Sequence, residues 1–344
     1  MKHIYSNLLE VLDVVCNLEQ KELYETLNSS ELSRFYVQDK YTILLTIEDE
    51  IAKCLSSTRF PDVYYRGQNE YFPKCIPSLY RINGEKELLL ARLQVAEFIE
   101  LVLSHQIVPF FEKPFPVQIG DKKYMKHLNV DAYSLAQHYG LPTNMLDITL
   151  DKYVAAFFAT NKWVSNFQYE PIGDGVGAFY LYKKASSSQI IDIGLQPFLR
   201  PGEQKAFGLL MEEGEDFNEM DGVKVFLFKQ DKEISQFYSD LMYGGKKLSE
   251  FDVLSEKIER IKSLKVFSRK SEQQVRTQFY VSLSDEEWLN LCNKYKIAFQ
   301  DGLSVNFTEE EMYFYTKLWK NKYGHKYEEL ISANVLQCRL SNHL

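Results

Sequence analysis

The sequence predicts an α+β protein with a mixed or antiparallel sheet at its centre. Short runs rich in β-branched and aromatic residues lie between turn residues in the middle of the chain, as in GAFYLY at 177–182 and VKVFLF at 223–228. Apolar residues recur at helical spacing before these runs, from 85 to about 104. The chain has 344 residues, which is enough for one elaborated domain.

The chain is predicted to have three parts, which are a helical N-terminal accessory segment (1–57), an α+β core (58–230) and a mainly helical C-terminal extension (231–344). In the first part, the apolar residues between Leu8 and Val15 form one face of a helix. In the last part, acidic runs at 285–287 and 309–311 are typical of helix starts.

The first elements of the core are set by turn signals. A strand over 61–66 is entered through Pro61 and closed by Gly67, a residue that permits a sharp turn. A later helix over 132–139 ends at Gly140, which is followed by Leu and Pro as a helix stop signal. The arginine of the first strand therefore falls at a strand end.

A buried strand and a buried helix follow this stop signal. The strand is predicted at 145–148, and Thr149 or Asp151 is expected to cap the helix. Residues 153–158 of that helix are apolar nearly all round, which predicts burial on every side. A further short strand is predicted at 189–193.

Composition and charge exclude several classes of protein. The net charge of −8 and the pI near 5.5 argue against a protein that covers long nucleic acid by bulk positive charge, although a local basic groove stays open. The five cysteines lie far apart with no CxxC pair, so reduced thiols are expected. Acidic residues interrupt the apolar start of the chain and no apolar run reaches ~18 residues, so a cytoplasmic protein without membrane attachment is expected.

The most specific pattern is the ordered block QHYGLPTNMLDIT at 137–149, which follows YRGQ at 65–68. These residues resemble the FRG domain family, which takes its name from a Phe-Arg-Gly sequence near its start. Tyr65 replaces the phenylalanine here. The resemblance extends over roughly the middle half of the chain. Independently of it, Arg66, His138, Asp147 and Thr149 are predicted to meet in one cleft, because each falls at a strand or helix end and such ends converge on one edge of a sheet.

A wider resemblance comes from the order of three polar segments: Arg66, then Asp147 to Thr149 before a buried helix, then RPGEQKAF at 200–207. This order is similar to that in the ADP-ribosyltransferase superfamily. There, NAD is bound by an Arg on the first strand, a Ser or Thr at a strand end and a Glu or Gln later in the chain. The resemblance implies a sheet of that type, NAD as the donor substrate, and a macromolecular acceptor, either protein or nucleic acid. It also implies a toxin or anti-phage role.

The same resemblance assigns roles to the residues. Glu203 or Gln204 would stabilise the cationic ribose, with His138 as a substrate contact or proton shuttle. Arg66 would hold the pyrophosphate or ribose, and Thr149 would position that arginine or the ribose. The predicted NAD-binding set is completed by three neighbours, Gln68, Tyr139 and Asp147.

Each role has a structural alternative. Arg66 could form an ion pair with Asp147, Thr149 could be a helix cap, and Glu203 could be a solvated carboxylate in a Pro-Gly turn. The segment RPGEQKAF at 200–207 contains no EXE or QXE motif, and the acidic run at 212–216 is expected to be a solvated turn, so either Glu203 or Gln204 acts alone or the site binds nucleotides without turnover.

The alternative function is therefore a non-catalytic module that binds a nucleotide or a protein or nucleic-acid partner. A competing late site is the polar and basic segment at 269–276. The sequence has no GxSxG, HExxH or P-loop motif, and no metal ligand set is predicted.

Overall fold

A computed structural model describes residues 3–22, 33–37, 41–45, 53–55, 63–119, 122–165, 168–184, 189–193, 196–198, 200–248, 252–319, 321 and 337–338. In chain order the elements are β1 (Ile4–Tyr5), α1 (Leu8–Glu22), β2 (Ser33–Val37), β3 (Tyr41–Leu45), β4 (Lys53–Leu55), β5 (Val63–Gln68), α2 (Glu85–Leu103), α3 (Ile107–Phe111), β6 (Phe115–Ile119), β7 (Lys122–Lys126), α4 (Ala132–His138), β8 (Met145–Thr149), α5 (Lys152–Thr160), β9 (Asn161–Ser165), β10 (Gln168–Pro171), β11 (Val176–Lys183), β12 (Ile190–Asp192), α6 (Arg200–Glu203), β13 (Ala206–Leu210), β14 (Val223–Lys229), α7 (Lys232–Leu241), α8 (Val253–Lys262), β15 (Val266–Ser268), α9 (Arg269–Phe279), α10 (Asp285–Lys294), β16 (Ala298–Gln300), α11 (Glu309–Trp319) and β17 (Gln337–Cys338).

The central sheet has seven strands in the order β1-β14-β11-β5-β8-β13-β12. β1 runs parallel to β14, and the other neighbours in this sheet are antiparallel. Alternate residues of β5 point to opposite faces, so Tyr64 packs in one core and Tyr65 in another. The core around Tyr65 is completed by α1 and α5.

The sheet opens between β5 and β8. Their ladder contains the single pair Tyr65↔Thr149, whereas β5 pairs with β11 along its whole length. On one side of this opening α5 packs directly on the backbone of β5, since a Cβ at Gly67 would lie 1.8 Å from Ala155 O. The opening places Arg66 beside the end of β8.

The C-terminal helices share a core with the middle of the chain. Leu135 and Tyr139 at the end of α4 belong to the same buried cluster as Ile258 of α8 and Tyr315 of α11. The helical extension therefore packs against the elements that carry the predicted site. Among the described residues, no helix has the length and hydrophobicity needed to cross a membrane.

The α+β class with a mixed sheet is confirmed, and so are the strands and helices predicted within the core. The strand over 61–66 continues through Gly67, and the helix starts predicted at 285 and 309 are those of α10 and α11. The cap of α5 is Asp151, which accepts hydrogen bonds from Tyr153 N and Val154 N.

One prediction about the elements was wrong, and one strand of the central sheet was missed. The segment 1–57 contains α1, but β2, β3 and β4 form a three-stranded antiparallel sheet where helix was predicted. SRFYV and YTILL are rich in aromatic and β-branched residues, which favour strands. In addition, β13 follows directly after the 200–205 turn and was not predicted. The three domain boundaries stay a prediction.

Candidate functional site

The site is built by a tight reversal of the chain. Asp131 caps α4 by accepting a hydrogen bond from Ser134 N (2.9 Å). The helix ends at His138, Gly140 takes φ +79° in the turn, and β8 then runs back beside the helix end. This reversal brings Asp147 to Gln137, whose Nε2 donates to Asp147 Oδ2 (3.1 Å).

His138 is held in a defined orientation. Its side chain is 2% exposed, and Nδ1 lies 3.2 Å from Gln204 Oε1. Because Gln204 Nε2 donates to Leu248 O (3.1 Å), the amide must present Oε1 to the imidazole. Nδ1 therefore carries a hydrogen, and Nε2 is the ring nitrogen on the side of Asp147.

His138 Nε2 faces the carboxylate of Asp147. The distance from Nε2 to Asp147 Oδ1 is 3.7 Å, which is too long for a hydrogen bond. Both atoms are buried and neither has a hydrogen-bond partner, although the Asp147 side chain as a whole is 41% exposed. In a neutral imidazole, two acceptors face each other here, whereas a second proton would convert the contact into an ion pair.

Arg66 reaches the same place from β5. Its Nη1 donates to the main-chain oxygen of Asp147 (2.6 Å), and its buried Nε has no hydrogen-bond partner. Arg66 and Asp147 are in contact, but not as the ion pair of the structural alternative. The guanidinium contacts the main chain of Asp147, while the carboxylate faces Gln137 and His138. The half-buried guanidinium thus borders the opening without being neutralised by that carboxylate.

Thr149 connects this cluster to the segment 200–207. Its Oγ1 donates to Gln204 O (2.7 Å) and accepts from Asp151 N (3.0 Å). Lys205 forms an ion pair with Asp151 (2.7 Å), which adds a second link between β8 and the residues after α6. Contacts link Arg66, His138, Asp147 and Thr149 directly or through Gln204, and the prediction that they line one cleft stays a prediction.

Three of the predicted residues lie elsewhere or at the edge. Gln68 is buried, donates to Cys75 Sγ (3.4 Å) and accepts from Tyr180 OH (2.8 Å). Tyr139 points into the core, where its hydroxyl donates to Asp252. Glu203 is half-buried at the end of α6, and it is Gln204 that contacts His138.

The competing segment at 269–276 forms most of α9, away from this cluster. Gln273 and Gln274 line a shallow depression of about 470 Å³ with Glu100 and Lys270. Lys270 lies 3.4 Å from Glu100 across it, so its charge is countered there. Among the described residues, no group of His, Cys, Asp and Glu side chains has the arrangement of a metal site.

Two contributors to the site had little or no sequence signal. Thr143 Oγ1 donates to Gln137 Oε1 (2.5 Å) and so orients the amide that holds Asp147. Thr143 belongs to the QHYGLPTNMLD block, and that membership is the signal that could have found it. Leu248 contributes its main-chain carbonyl oxygen, and a contact made by the main chain leaves no pattern of side chains in the sequence.

The fold and the site together define the class of this protein. It is an α+β protein with a mixed sheet, and an arginine, a histidine and an aspartate form a polar site beside β5 and β8. Residues 61–166 match the model of the FRG domain, so this part of the chain is an FRG domain. The match includes β5, α4, β8 and α5, and it ends before Gln204. No curated protein and no solved structure matches the chain.

Proposed function

We propose that the FRG domain and the late Gln204 segment form an NAD site, and that the protein transfers ADP-ribose from NAD to a macromolecular acceptor. One observation carries the proposal, which is the pair of buried acceptors His138 Nε2 and Asp147 Oδ1, 3.7 Å apart and without a donor. A ribose presents two adjacent hydroxyls, and one diol can donate to both atoms at once. Satisfying two buried acceptors in this way is favourable, because each costs free energy while unpaired.

The chemistry follows from the same placement. The bond from ribose C1′ to nicotinamide breaks, and nicotinamide leaves with the bonding electrons. Positive charge then develops on the ribose, and the Asp147 carboxylate stabilises it electrostatically. An acceptor oxygen or nitrogen forms the new bond to C1′ and releases its proton to water, while His138 Nε2 continues to accept the hydrogen bond of the ribose hydroxyl.

In this proposal Asp147 takes the role that the sequence assigned to Glu203 or Gln204. The Gln204 amide is engaged at both ends, by His138 and by Leu248 O, so it acts as a positioning residue. Arg66 holds the nucleotide through the donors that its contact with Asp147 O leaves unused, since a guanidinium suits phosphate oxygens.

Incubation with labelled NAD and total cell extract tests the activity, with label sought on protein, RNA and DNA. Asp147→Asn keeps the shape of the side chain and removes its charge, so we expect turnover to fall by ~10²–10³ with little loss of NAD binding. Gln204→Ala should also reduce turnover, because His138 loses its orientation, while Glu203→Ala should remain near wild type. Wild-type rates in Asp147→Asn would refute the assignment.

A control and a growth assay complete the test. Arg66→Ala should weaken NAD binding far more than Arg269→Ala, since Arg269 lies on α9, where it pairs with Glu272 (3.5 Å). A toxin or anti-phage effector of this class should arrest growth when expressed in a host cytoplasm, and Asp147→Asn should relieve that arrest.

A second function is favoured by one contact. Arg66 Nη1 is already bound to Asp147 O at 2.6 Å, which suits a rigid module that binds a nucleotide without turnover. Binding of NAD or ADP-ribose by a protein that consumes no NAD with any extract would select this alternative.

A further inference from the structure

His138 and Asp147 face each other without completing a contact. Nε2 of the imidazole and Oδ1 of the carboxylate are 3.7 Å apart, both atoms are buried, and neither has a hydrogen-bond partner. A charge-assisted hydrogen bond between such atoms measures ~2.7–2.9 Å, so they would have to approach by about 1 Å to form one. While the imidazole is neutral, Nδ1 carries its hydrogen and Nε2 is an acceptor like Oδ1, so nothing draws the two atoms together.

One added proton changes this contact from acceptor against acceptor to cation against anion. Nε2 becomes a donor, while Nδ1 keeps its hydrogen and its contact with Gln204 Oε1 (3.2 Å). Asp147 keeps its other anchor, because Oδ2 accepts from Gln137 Nε2 (3.1 Å). The pair therefore has two states that differ by one proton. In the first state both acceptors are available to a ligand, and in the second they satisfy each other.

The elements packed against α4 determine which other charges lie near this pair. α4 packs against α2, β8 and α6. β8 contributes Asp147 as its charged residue. From α6, Arg200 donates to the main-chain oxygen of His138 (3.4 Å) and is linked to Asp252 through a shared serine hydroxyl. Glu203 is half-buried at the end of α6. Asp147 is thus the carboxylate that faces Nε2 at 3.7 Å.

The remaining charged groups contact other residues or solvent. Arg66 of β5 donates to Asp147 O (2.6 Å), and Lys205 after α6 pairs with Asp151 (2.7 Å). The charged residues of α2 are exposed or contact C-terminal residues, and they are Glu85, Lys86, Glu87, Arg92, Glu97 and Glu100. Arginine and lysine keep their charge near neutral pH, whereas histidine ordinarily changes its charge between about pH 5 and pH 8.

We propose that His138 and Asp147 form a proton-operated gate on the nucleotide site, open while the imidazole is neutral and closed by their ion pair when it is protonated. The gate acts on the acceptors of the ribose diol and so rests on the proposed function. Its direction is specific. A cationic His138 that merely attracted the phosphates of a nucleotide would strengthen binding in acid, whereas the gate weakens it, because both acceptors are then occupied by each other.

Calorimetry with ADP-ribose between about pH 8 and pH 5 tests the gate, because ADP-ribose keeps the same charge over this range. Once most of the His138 is protonated, we expect Kd to rise by about tenfold for each further drop of one pH unit, since only the neutral fraction binds. Nitrogen NMR of the His138 ring in the unliganded protein should show Nε2 gaining its proton over the pH range in which the affinity falls.

Three variants separate the gate from a general effect of acid. His138→Gln cannot take up the proton, so its affinity for ADP-ribose, although weaker than that of wild type, should stay constant across the pH range. Asp147→Asn lacks the anion that attracts the imidazolium, so its loss of affinity should begin at a lower pH. His127→Gln replaces a half-buried histidine outside the site and is the matched control, which should follow the wild-type profile. Circular dichroism at each pH should show that all the proteins remain folded.

The outcomes distinguish the gate from the proposed function. A wild-type affinity that is constant with pH or rises in acid, or an equal loss in acid for His138→Gln, would overturn the gate and leave the nucleotide site in place. A gated affinity in a protein that never consumes NAD would support the gate and remove the transferase proposal. No binding of ADP-ribose at any of these pH values would overturn both.

Discussion

At the scale of single residues, the site is a directed chain of hydrogen bonds. Gln137 Oε1 accepts the hydrogen of the Thr143 hydroxyl, because Gln137 Nε2 is turned to Asp147, and Thr143 Oγ1 in turn accepts from Met145 N (3.2 Å). This fixes the Gln137 amide, which donates to Asp147. The polar residues of the QHYGLPTNMLD block thus orient one another, so the local pattern by itself determines part of the geometry of the site.

Thr143→Val tests this chain of bonds. The hydroxyl is fully buried, and its loss leaves Gln137 Oε1 and Met145 N without their partner, so we expect a loss of about 1–3 kcal/mol in the free energy of unfolding. Thr143→Ser retains the hydroxyl and should lose much less. Urea denaturation measures both, and equal losses in the two variants would contradict the role of the hydroxyl.

A buried histidine gives a second prediction at this scale. His105 lies among the rings of Phe198, Phe307 and Tyr315, and its burial lowers its pKa to about 4. The unfolded chain binds a proton near its ordinary pKa of 6.5, so stability is full above that pH and falls as the pH drops toward 4. We expect this residue to contribute on the order of 1–3 kcal/mol to that loss.

His105→Gln, which does not titrate, is the comparison. Its stability relative to wild type should improve between pH 6.5 and pH 4.5, whatever its stability at neutral pH. His3→Gln, at an exposed position, is the control and should follow the wild-type pH profile. A constant difference between His105→Gln and wild type across that pH range would show that His105 does not titrate as proposed.

At the scale of elements, the sequence predicted those with strong periodicity and missed those defined by contacts. The helix at 85–104 and the buried strand at 145–148 carry their patterns locally, and the structure confirms both. β13 begins immediately after a short helix, and the AFGLL sequence becomes a strand by pairing with β8. Likewise, the contact between His138 and Gln204 spans 66 positions, and no local pattern encodes it.

Gly67 is a second case in which the local sequence pattern did not predict the structural role. The sequence indicated a turn after the strand, but the residue lies within β5 and allows α5 to approach the strand backbone. Gly67→Ala should therefore destabilise the protein by about 1–3 kcal/mol or more, since the Cβ would meet backbone atoms of α5. Gly173→Ala is the control, because its Cβ would come no closer than 3.1 Å to another atom, the Cβ of Lys232. Comparable melting temperatures for the two variants would contradict the close packing of α5.

At the scale of the whole molecule, the FRG domain and the C-terminal helices are joined by a buried polar cluster. Asp252 caps α8 through Ser255 N (3.1 Å) and accepts the Tyr139 hydroxyl. Arg200 lies over the Tyr139 ring, 4.3 Å from its centroid, and donates to Ser255 Oγ (2.6 Å). The residue after His138 is thus anchored in the core formed with α8 and α11.

This cluster predicts a pH-dependent stability. Burial raises the pKa of Asp252 above its ordinary value of 3.8, despite the opposing charge of Arg200 and the hydroxyl of Tyr139. Between the ordinary and the raised pKa the folded protein binds more protons than the unfolded chain, so the contribution of Asp252 to stability falls as the pH rises through this window.

Asp252→Asn removes this dependence, because the amide is neutral at every pH. We expect the free energy of unfolding of Asp252→Asn, relative to wild type, to increase between pH 4 and pH 7, as measured by urea denaturation at several pH values. Asp221→Asn, at an exposed position, provides the control and should follow the wild-type profile. Since Asp252 and Tyr139 lie in one core, both proteins should unfold in a single transition. A relative stability that decreases with rising pH would mean that Asp252 is charged and stabilising in the folded protein, and that Arg200 outweighs its burial.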